Sequence, residues 1–120
     1  MKKAIFFVLM TFGAMGLSGC KQGESASQGP VERIKVVMKK YSIEPPVIAV
    51  KSGARTELEV STADVQHGFG VPQLGINESI QPGRPAVIAI KSPAKGEYKV
   101  VCSILCGPHH EDMTAKIVAQ

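Results

Sequence analysis

Short runs of β-branched and other apolar residues, separated by Gly and Pro, recur along the chain from residue 31 onward. Residues 56–60 alternate polar and apolar side chains, which is the period of a strand with one buried face. The Gly and Pro residues between the runs disfavour long helices. The pattern therefore predicts strands over residues 34–38, 47–50, 56–60, 85–91, 98–101 and 114–119.

This series of short strands predicts an all-β domain, a small antiparallel sandwich or a Greek-key barrel. A short helix around residues 76–80 stays open, because the sequence does not decide between helix and strand there. The last two strands are expected to form a hairpin, so residues 102–113 would connect two core strands at one end of the sandwich. Met38 and Phe69 are expected in the interior.

The first twenty residues have the pattern of an export signal. Met1-Lys2-Lys3 is basic, and residues 4–17 are apolar or small apart from Thr11. This run is shorter than the roughly 20 residues of a membrane span, and it is typical of a secretory signal. Leu17-Ser18-Gly19-Cys20 resembles a bacterial lipobox, which implies cleavage before Cys20 and a lipid on that cysteine. An ordinary signal with an incidental cysteine and a retained membrane helix are the alternatives.

Three segments follow from this interpretation. Residues 1–19 are the lipoprotein signal peptide, and residues 20–30 are the lipidated cysteine and a small, polar, flexible tether. Residues 31–120 are the folded domain, which is long enough for one modest core. The mature protein is then expected to be exported and lipid-anchored to a membrane, facing the periplasm or the cell surface.

Length and charge exclude several classes of function. A chain of 120 residues allows one domain and excludes a large multidomain enzyme. The formal net charge is +4, and loss of Lys2 and Lys3 with the signal lowers it to +2. Aromatic residues make up only 5 % and Trp is absent, so no basic patch is interleaved with aromatics and nucleic-acid binding is disfavoured.

The segment from Cys102 to Met113 concentrates the candidate chemistry. It reads CSILCGPHHEDM and holds thiol, imidazole and thioether side chains. Such soft ligands select copper, and less strongly zinc or an iron–sulfur centre. The closing methionine favours copper, because structural zinc sites use four Cys or His ligands and iron–sulfur clusters use four cysteines.

The spacing of this segment resembles the binuclear copper (CuA) loop of cytochrome c oxidase subunit II and of nitrous-oxide reductase. The order is Cys, three residues, Cys, three residues, His, two residues, Met. Upstream, Asp64-Val65-Gln66-His67-Gly68-Phe69 resembles the segment that carries the family's other histidine ligand. The resemblance covers most of residues 31–120 and implies a cupredoxin-like sandwich.

The resemblance also implies a ligand set for two copper ions. In that set, both thiolates bridge the metals, each imidazole binds one metal, and a thioether and a main-chain carbonyl are weak ligands. The corresponding residues are Cys102 and Cys106 for the thiolates, His67 and His110 for the imidazoles, Met113 for the thioether and Ile104 for the carbonyl oxygen.

The function implied by the resemblance is one-electron transfer with a redox partner protein at the membrane surface. No catalysis by the chain itself, no small-molecule substrate and no nucleic acid are expected. Subunit II normally carries two membrane helices and a tryptophan that receives the electron, and this chain shows neither. Membership of a standard oxidase complex is therefore in doubt, while a role as an accessory subunit of a terminal oxidase or reductase stays open.

Other interpretations of the same residues remain open. A mononuclear blue-copper site would use His67, Cys106, His110 and Met113. A copper carrier, store or sensor would need exchangeable Cu(I). A structural disulfide between the loop cysteines and a thioredoxin-like thiol oxidoreductase are further alternatives. His109 is expected to face solvent beside His110, and Glu111 and Asp112 to form a solvated face.

Overall fold

The computed structural model describes residues 30–91 and 93–120, and within them the fold is all β. These residues form nine strands and two single-turn 3₁₀ helices, with no α-helix. The strands are β1 (Glu32–Lys39), β2 (Ser42–Glu44), β3 (Val47–Val50), β4 (Arg55–Thr62), β5 (His67–Val71), β6 (Ile76–Ile80), β7 (Ala86–Lys91), β8 (Gly96–Cys102) and β9 (Thr114–Ala119). The 3₁₀ helices are Pro72–Leu74 and His110–Asp112.

The strands form two sheets, in the orders β2-β1-β4-β7 and β3-β9-β8-β5-β6. The predicted all-β sandwich is confirmed, and its two sheets are mixed, since each contains one parallel pair beside its antiparallel pairs. β1 pairs with β4 in parallel, and so does β3 with β9. The chain leaves the first sheet after β2, adds β3 to the second sheet and returns as β4 beside β1. The alternation of apolar residues indicates which face of a strand is buried, but it does not indicate whether the neighbouring strand runs parallel or antiparallel.

All of the predicted strands are present, and the structure adds β2, β5 and β6. β5 is buried at every residue and contains two glycines, so it shows neither alternation nor a β-branched run. In β6 only the terminal residues are apolar. The undecided segment at residues 76–80 is thus a strand, because it pairs along its whole length with β5.

The core consists of side chains that both sheets contribute to one cluster. β4 shows the alternation expected from its sequence, with Thr56, Leu58 and Val60 buried. Met38 and Phe69 have no exposed surface, as predicted. The fully buried side chains of largest volume are Phe69, Met38, Ile43, Ile48, Leu58, Ile80, Ile90, Met113, Ile117, His67, Val36 and Val60.

The β8–β9 hairpin places the cysteine-containing loop at one end of the sandwich, as predicted. The Cys102 amide donates to the Met113 carbonyl at 3.1 Å and closes the base of the loop. β5 lies beside β8, with Phe69 opposite Cys102. His67, two residues before Phe69 on β5, therefore arrives at the same end of the fold as the loop.

Cys20, the signal and most of the tether lie outside the described residues. The boundaries at 1–19, 20–30 and 31–120 accordingly stay predictions. Among residues 30–91 and 93–120, no helix has the length and apolar character needed to cross a bilayer.

Truncation of Leu58 to alanine tests the core. The side chain has no exposed surface, so we expect the free energy of unfolding to fall by about 2–5 kcal/mol through lost transfer energy and a residual cavity. Urea denaturation of the metal-free protein measures this change. Val87→Ala is the matched control, because Val87 is 57 % exposed, and a surface truncation should change stability by less than about 0.5 kcal/mol. Equal effects of the two substitutions would contradict the assigned core.

Candidate metal centre

Three donor side chains meet where β5, β8 and the loop after β8 come together. The ligand atoms of His67, Cys102 and Cys106 all lie within 4.8 Å of one another. The Cys102 Sγ is 3.8 Å from the His67 Nδ1 and 3.8 Å from the Cys106 Sγ. His67 is fully buried, Cys102 is 5 % exposed and Cys106 is half-buried. Both cysteines are free thiols.

The carboxylate of Asp64 orients the His67 ring. Asp64 Oδ1 lies 2.8 Å from His67 Nε2. An ionised carboxylate accepts and never donates, so Nε2 carries the proton. In the neutral ring the lone pair then sits on Nδ1, the nitrogen that faces Cys102. A histidine held in this way by a carboxylate is the usual arrangement of a metal ligand.

Asp64 is itself held by backbone amides. The Lys40 amide donates to Oδ2 and the Val65 amide to Oδ1, both at 2.6 Å. Partial burial raises the pKa of this carboxyl, but the two amides and then His67 outweigh burial and hold the pKa far below its usual value. Asp64 therefore stays ionised at neutral pH and keeps its acceptor role.

The Cys106 thiol is protonated at neutral pH in the metal-free molecule. Burial, followed by the hydrogen bond and charge of Cys102, raises the pKa of the Cys106 thiol. The Cys102 thiol donates to the Ile104 carbonyl oxygen at 3.2 Å. A metal ion that binds these sulfurs must displace their protons, so its affinity will rise with pH.

Met113 and Ile104 place further donor atoms beside the thiols. The Met113 Sδ is buried and lies 3.9 Å from the Cys106 Sγ. The Ile104 carbonyl oxygen is on the Cys102 side. The Ile104 oxygen and the Met113 sulfur thus lie beside different thiols, while the ligand atom of His67 lies within 4.8 Å of both sulfurs.

The two adjacent histidines have different environments. The Nδ1 of His110 is buried and has no hydrogen-bond partner among the described residues. His110 lies outside the tight group of three donors, so the structure does not bring its ring as close as that of His67. The His109 side chain is 65 % exposed and lies 3.4 Å from Asp112, in agreement with the solvent-facing position predicted for it.

Glycine at position 68 allows the loop to approach β5. A Cβ on Gly68 would overlap the Ser103 hydroxyl and would lie 2.8 Å from the Ile104 amide nitrogen. The Ser103 amide donates to the Gly68 carbonyl at 3.0 Å, and the Ser103 hydroxyl donates to the Asn77 side-chain carbonyl at 2.6 Å. These bonds attach the first half of the loop to β5 and β6.

The donor set fits a soft metal ion, and copper best. Two thiols, imidazole nitrogen and thioether are the ligand types that copper favours. The buried, unpaired Nδ1 of His110 is the kind of polar atom that a bound metal would satisfy. Sequence reasoning missed Asp64 as the partner of His67 and missed the contacts of Asn77. Asp64 precedes His67 by three residues, but only the turn geometry shows that its carboxylate reaches the ring.

Replacement of Asp64 by asparagine tests the support of His67. Asparagine offers one acceptor oxygen where Asp64 uses two, so either the Lys40 contact or the His67 contact must be lost. We expect copper affinity to fall by about 10–100-fold, the usual effect of losing such a partner, as measured by competition with a Cu(I) chelator. Asp112→Asn is the matched control, because that side chain is 78 % exposed and should leave affinity unchanged. Unaltered affinity in Asp64→Asn would contradict the assigned role.

Comparisons with known proteins agree with this fold. The Cupredoxin-like domain family matches residues 5–119. The chain is 31 % identical over 80 residues to cytochrome c oxidase subunit 2 of Thermus thermophilus, covering 67 % of this chain and 59 % of that protein. It is 33 % identical over 63 residues to the same subunit of Synechocystis sp., covering 52 % and 19 %. The chain thus spans at most about three-fifths of these two relatives.

Solved structures show the same fold. The periplasmic domain of cytochrome oxidase subunit II of Bradyrhizobium japonicum superimposes with a TM-score of 0.67 at 22 % identity, over 74 % of this chain and 83 % of that one. A chain of a heme-copper terminal oxidase dimer gives a TM-score of 0.67 at 24 % identity, over 76 % and 66 %. The family resemblance inferred from the loop residues is therefore confirmed: the chain belongs to the cupredoxin-like domain family and is homologous to subunit II of cytochrome c oxidase.

Proposed function

We propose that this chain is a one-electron transfer protein with a binuclear copper (CuA) centre, anchored to a membrane by a lipid. The observation that carries the proposal is the pair of thiols 3.8 Å apart, with a different second donor beside each. Cys102 has His67 and the Ile104 carbonyl beside it, and Cys106 has Met113. Two neighbouring sulfurs, each with a further donor of its own beside it, suit two metal ions better than one.

The residues proposed as ligands are those implied by the resemblance to the binuclear copper family. Both thiolates, Cys102 and Cys106, would bridge the metals, and His67 would bind through the Nδ1 that Asp64 leaves unprotonated. His110 would bind through its buried and unpaired Nδ1. The Met113 thioether and the Ile104 carbonyl would be the weak ligands.

Copper bound in this way would supply a single electron shared by two ions, so that the change of geometry on oxidation is small. The chain's own contribution is a rigid, dry set of ligands. His67 and Met113 have no exposed surface. The Asp64 carboxylate accepts a hydrogen bond from His67, and the Ser103 amide donates one to Gly68, which attaches the loop to β5. Loading requires Cys102 and Cys106 to bind as thiolates, while the His67 Nε2 keeps its proton and donates it in the hydrogen bond to Asp64.

The same geometry bears on the alternatives. The thioredoxin-like oxidoreductase is disfavoured, because the cysteines lie in a loop between two strands of an all-β fold. A mononuclear site would leave Cys102 without a role although it lies 3.8 Å from His67. A copper carrier, store or sensor needs exchangeable ligands, whereas His67 and Met113 are fully buried.

The partner is proposed to be a redox protein at the membrane surface. The matched relatives are named as subunits of cytochrome c oxidase, which supports electron transfer within or beside a respiratory complex. The chain would pass electrons without catalysing a reaction on a small molecule. Export and a lipid on Cys20, within the tether at residues 20–30, would hold the domain at a membrane, facing the periplasm or the cell surface.

Copper stoichiometry combined with electron paramagnetic resonance tests the binuclear centre. We expect two coppers per purified protein, sharing one unpaired electron, after loading under conditions that keep the thiols reduced. Cys102→Ser should abolish the shared-electron signal, because one bridging sulfur is lost. One copper in a blue protein that survives Cys102→Ser would instead establish the mononuclear site. A colourless protein that holds only Cu(I) and yields it readily to a chelator would establish the carrier or store.

The adjacent histidines provide an internal control for the same experiment. His110→Ala should lose the binuclear signal, since it removes a ligand. His109→Ala should keep both coppers, since that ring is 65 % exposed. If the two substitutions act alike, the assignment of His110 is wrong.

Labelling of cells with radioactive palmitate tests the anchor. We expect the full chain to incorporate label and to sediment with membranes, because a lipid on Cys20 adds buried hydrocarbon. Cys20→Ser should remove both properties, and Ser25→Ala, a change within the tether, should preserve them. Continued labelling of Cys20→Ser would contradict lipidation at this residue.

A further inference from the structure

The turn between β1 and β2, at Lys40 and Tyr41, contacts Asp64, which supports His67, and Gly107, which follows Cys106. β1 and β2 belong to the four-stranded sheet, whereas His67 and the loop cysteines come from the five-stranded sheet. The Lys40 amide donates to Asp64 Oδ2 at 2.6 Å, and Asp64 Oδ1 lies 2.8 Å from His67 Nε2. One end of this turn therefore supports the histidine on β5.

The other end of the turn supports the loop after β8. A Cβ built on Gly107 would lie 2.5 Å from the Tyr41 hydroxyl oxygen and 3.1 Å from its Cε1. The tyrosine ring thus rests directly on the backbone at Gly107. Tyr41 is half-buried and packs against the hydrophobic core. Its ring also meets His109 edge to face, with centroids 5.3 Å apart and planes at 70°.

The position of the Gly107 backbone determines the positions of two proposed ligands, Cys106 and His110. It follows Cys106 directly, and its carbonyl accepts the His110 amide at 3.2 Å. Its φ of +149° is a conformation that residues with side chains rarely adopt. A glycine here allows both the backbone angle and the close approach of the ring. Displacement of Gly107 would move Cys106 and His110 together.

We propose that Tyr41 is a positioning residue for the metal centre. Its ring clamps the Cys106–His110 segment through Gly107, while the adjacent Lys40 amide holds Asp64 and, through Asp64, His67. The proposal rests on the metal centre proposed above and adds a residue outside its ligand set. The clamp would hold the donors in place before any metal arrives, so that the centre need not reorganise on loading. Tyr41 acts on the ligands through the backbone at Gly107.

Thiol reactivity of the metal-free full chain gives a test that needs no copper. We expect Tyr41→Ala to increase the rate of Cys106 alkylation by iodoacetamide, and amide hydrogen exchange across residues 107–110, on the order of tenfold, because the segment opens more often. Tyr41→Phe should stay close to the wild type, since the contact is made by the ring. Tyr98→Ala is the matched control, because Tyr98 is also half-buried against the core but lies near the start of β8.

Copper loading supplies the readout that general destabilisation would not move. We expect Tyr41→Ala to change the copper hyperfine splitting and the visible absorption, and Tyr41→Phe to restore both. Unchanged alkylation and an unchanged copper signature in Tyr41→Ala would overturn the clamp, and so would equal effects of Tyr98→Ala.

If Tyr41→Ala does not fold, Gly107→Ala should displace the segment from the ring and produce the same changes. Absence of a binuclear signal in the wild type would refute the proposed function. The alkylation and hydrogen exchange of the metal-free variants would still test whether Tyr41 holds the segment.

Discussion

The pairing of β5 with β8 is the constraint on which the candidate centre depends. His67 and Cys102 are 35 residues apart in the chain, and their Nδ1 and Sγ atoms are 3.8 Å apart only because these strands lie side by side. This approach requires Gly68, since a Cβ there would collide with Ser103 and Ile104. The hydrophobic core beneath, with Phe69 and Met113 fully buried, supplies the free energy that keeps the strands together.

The donor cluster is costly for the fold when no metal is bound. Burial of the His67 ring and of the His110 Nδ1 removes polar atoms from water, and the Nδ1 of His110 gains no hydrogen bond in return. The ionised Asp64 offsets part of this cost by accepting bonds from two amides and from His67. A molecule that keeps such groups in place sacrifices stability for a preformed site, which is what fast electron transfer with little reorganisation requires.

Both sheets contribute residues that hold the candidate centre. The five-stranded sheet carries His67 and both cysteines, while the four-stranded sheet contributes the turn at Lys40 and Tyr41. Contacts across the sandwich make the position of the ligands depend on the packing of the whole domain. Such packing explains how residues 30–91 and 93–120 keep the candidate ligands in fixed positions.

The sequence by itself determined where most strands lie and which side chains carry chemistry. The alternation through Leu58 and Val60 predicted β4, and the thiol, imidazole and thioether residues of the loop after β8 indicated a soft metal. Only the tertiary structure decided that β1 runs parallel to β4, that residues 67–71 and 76–80 are paired strands, and that Asp64 and Tyr41 support the ligands. The reason is physical: a strand's own residues specify its buried face and its donor atoms. Its neighbours, and the side chains that reach it from remote segments, depend on how the two sheets pack.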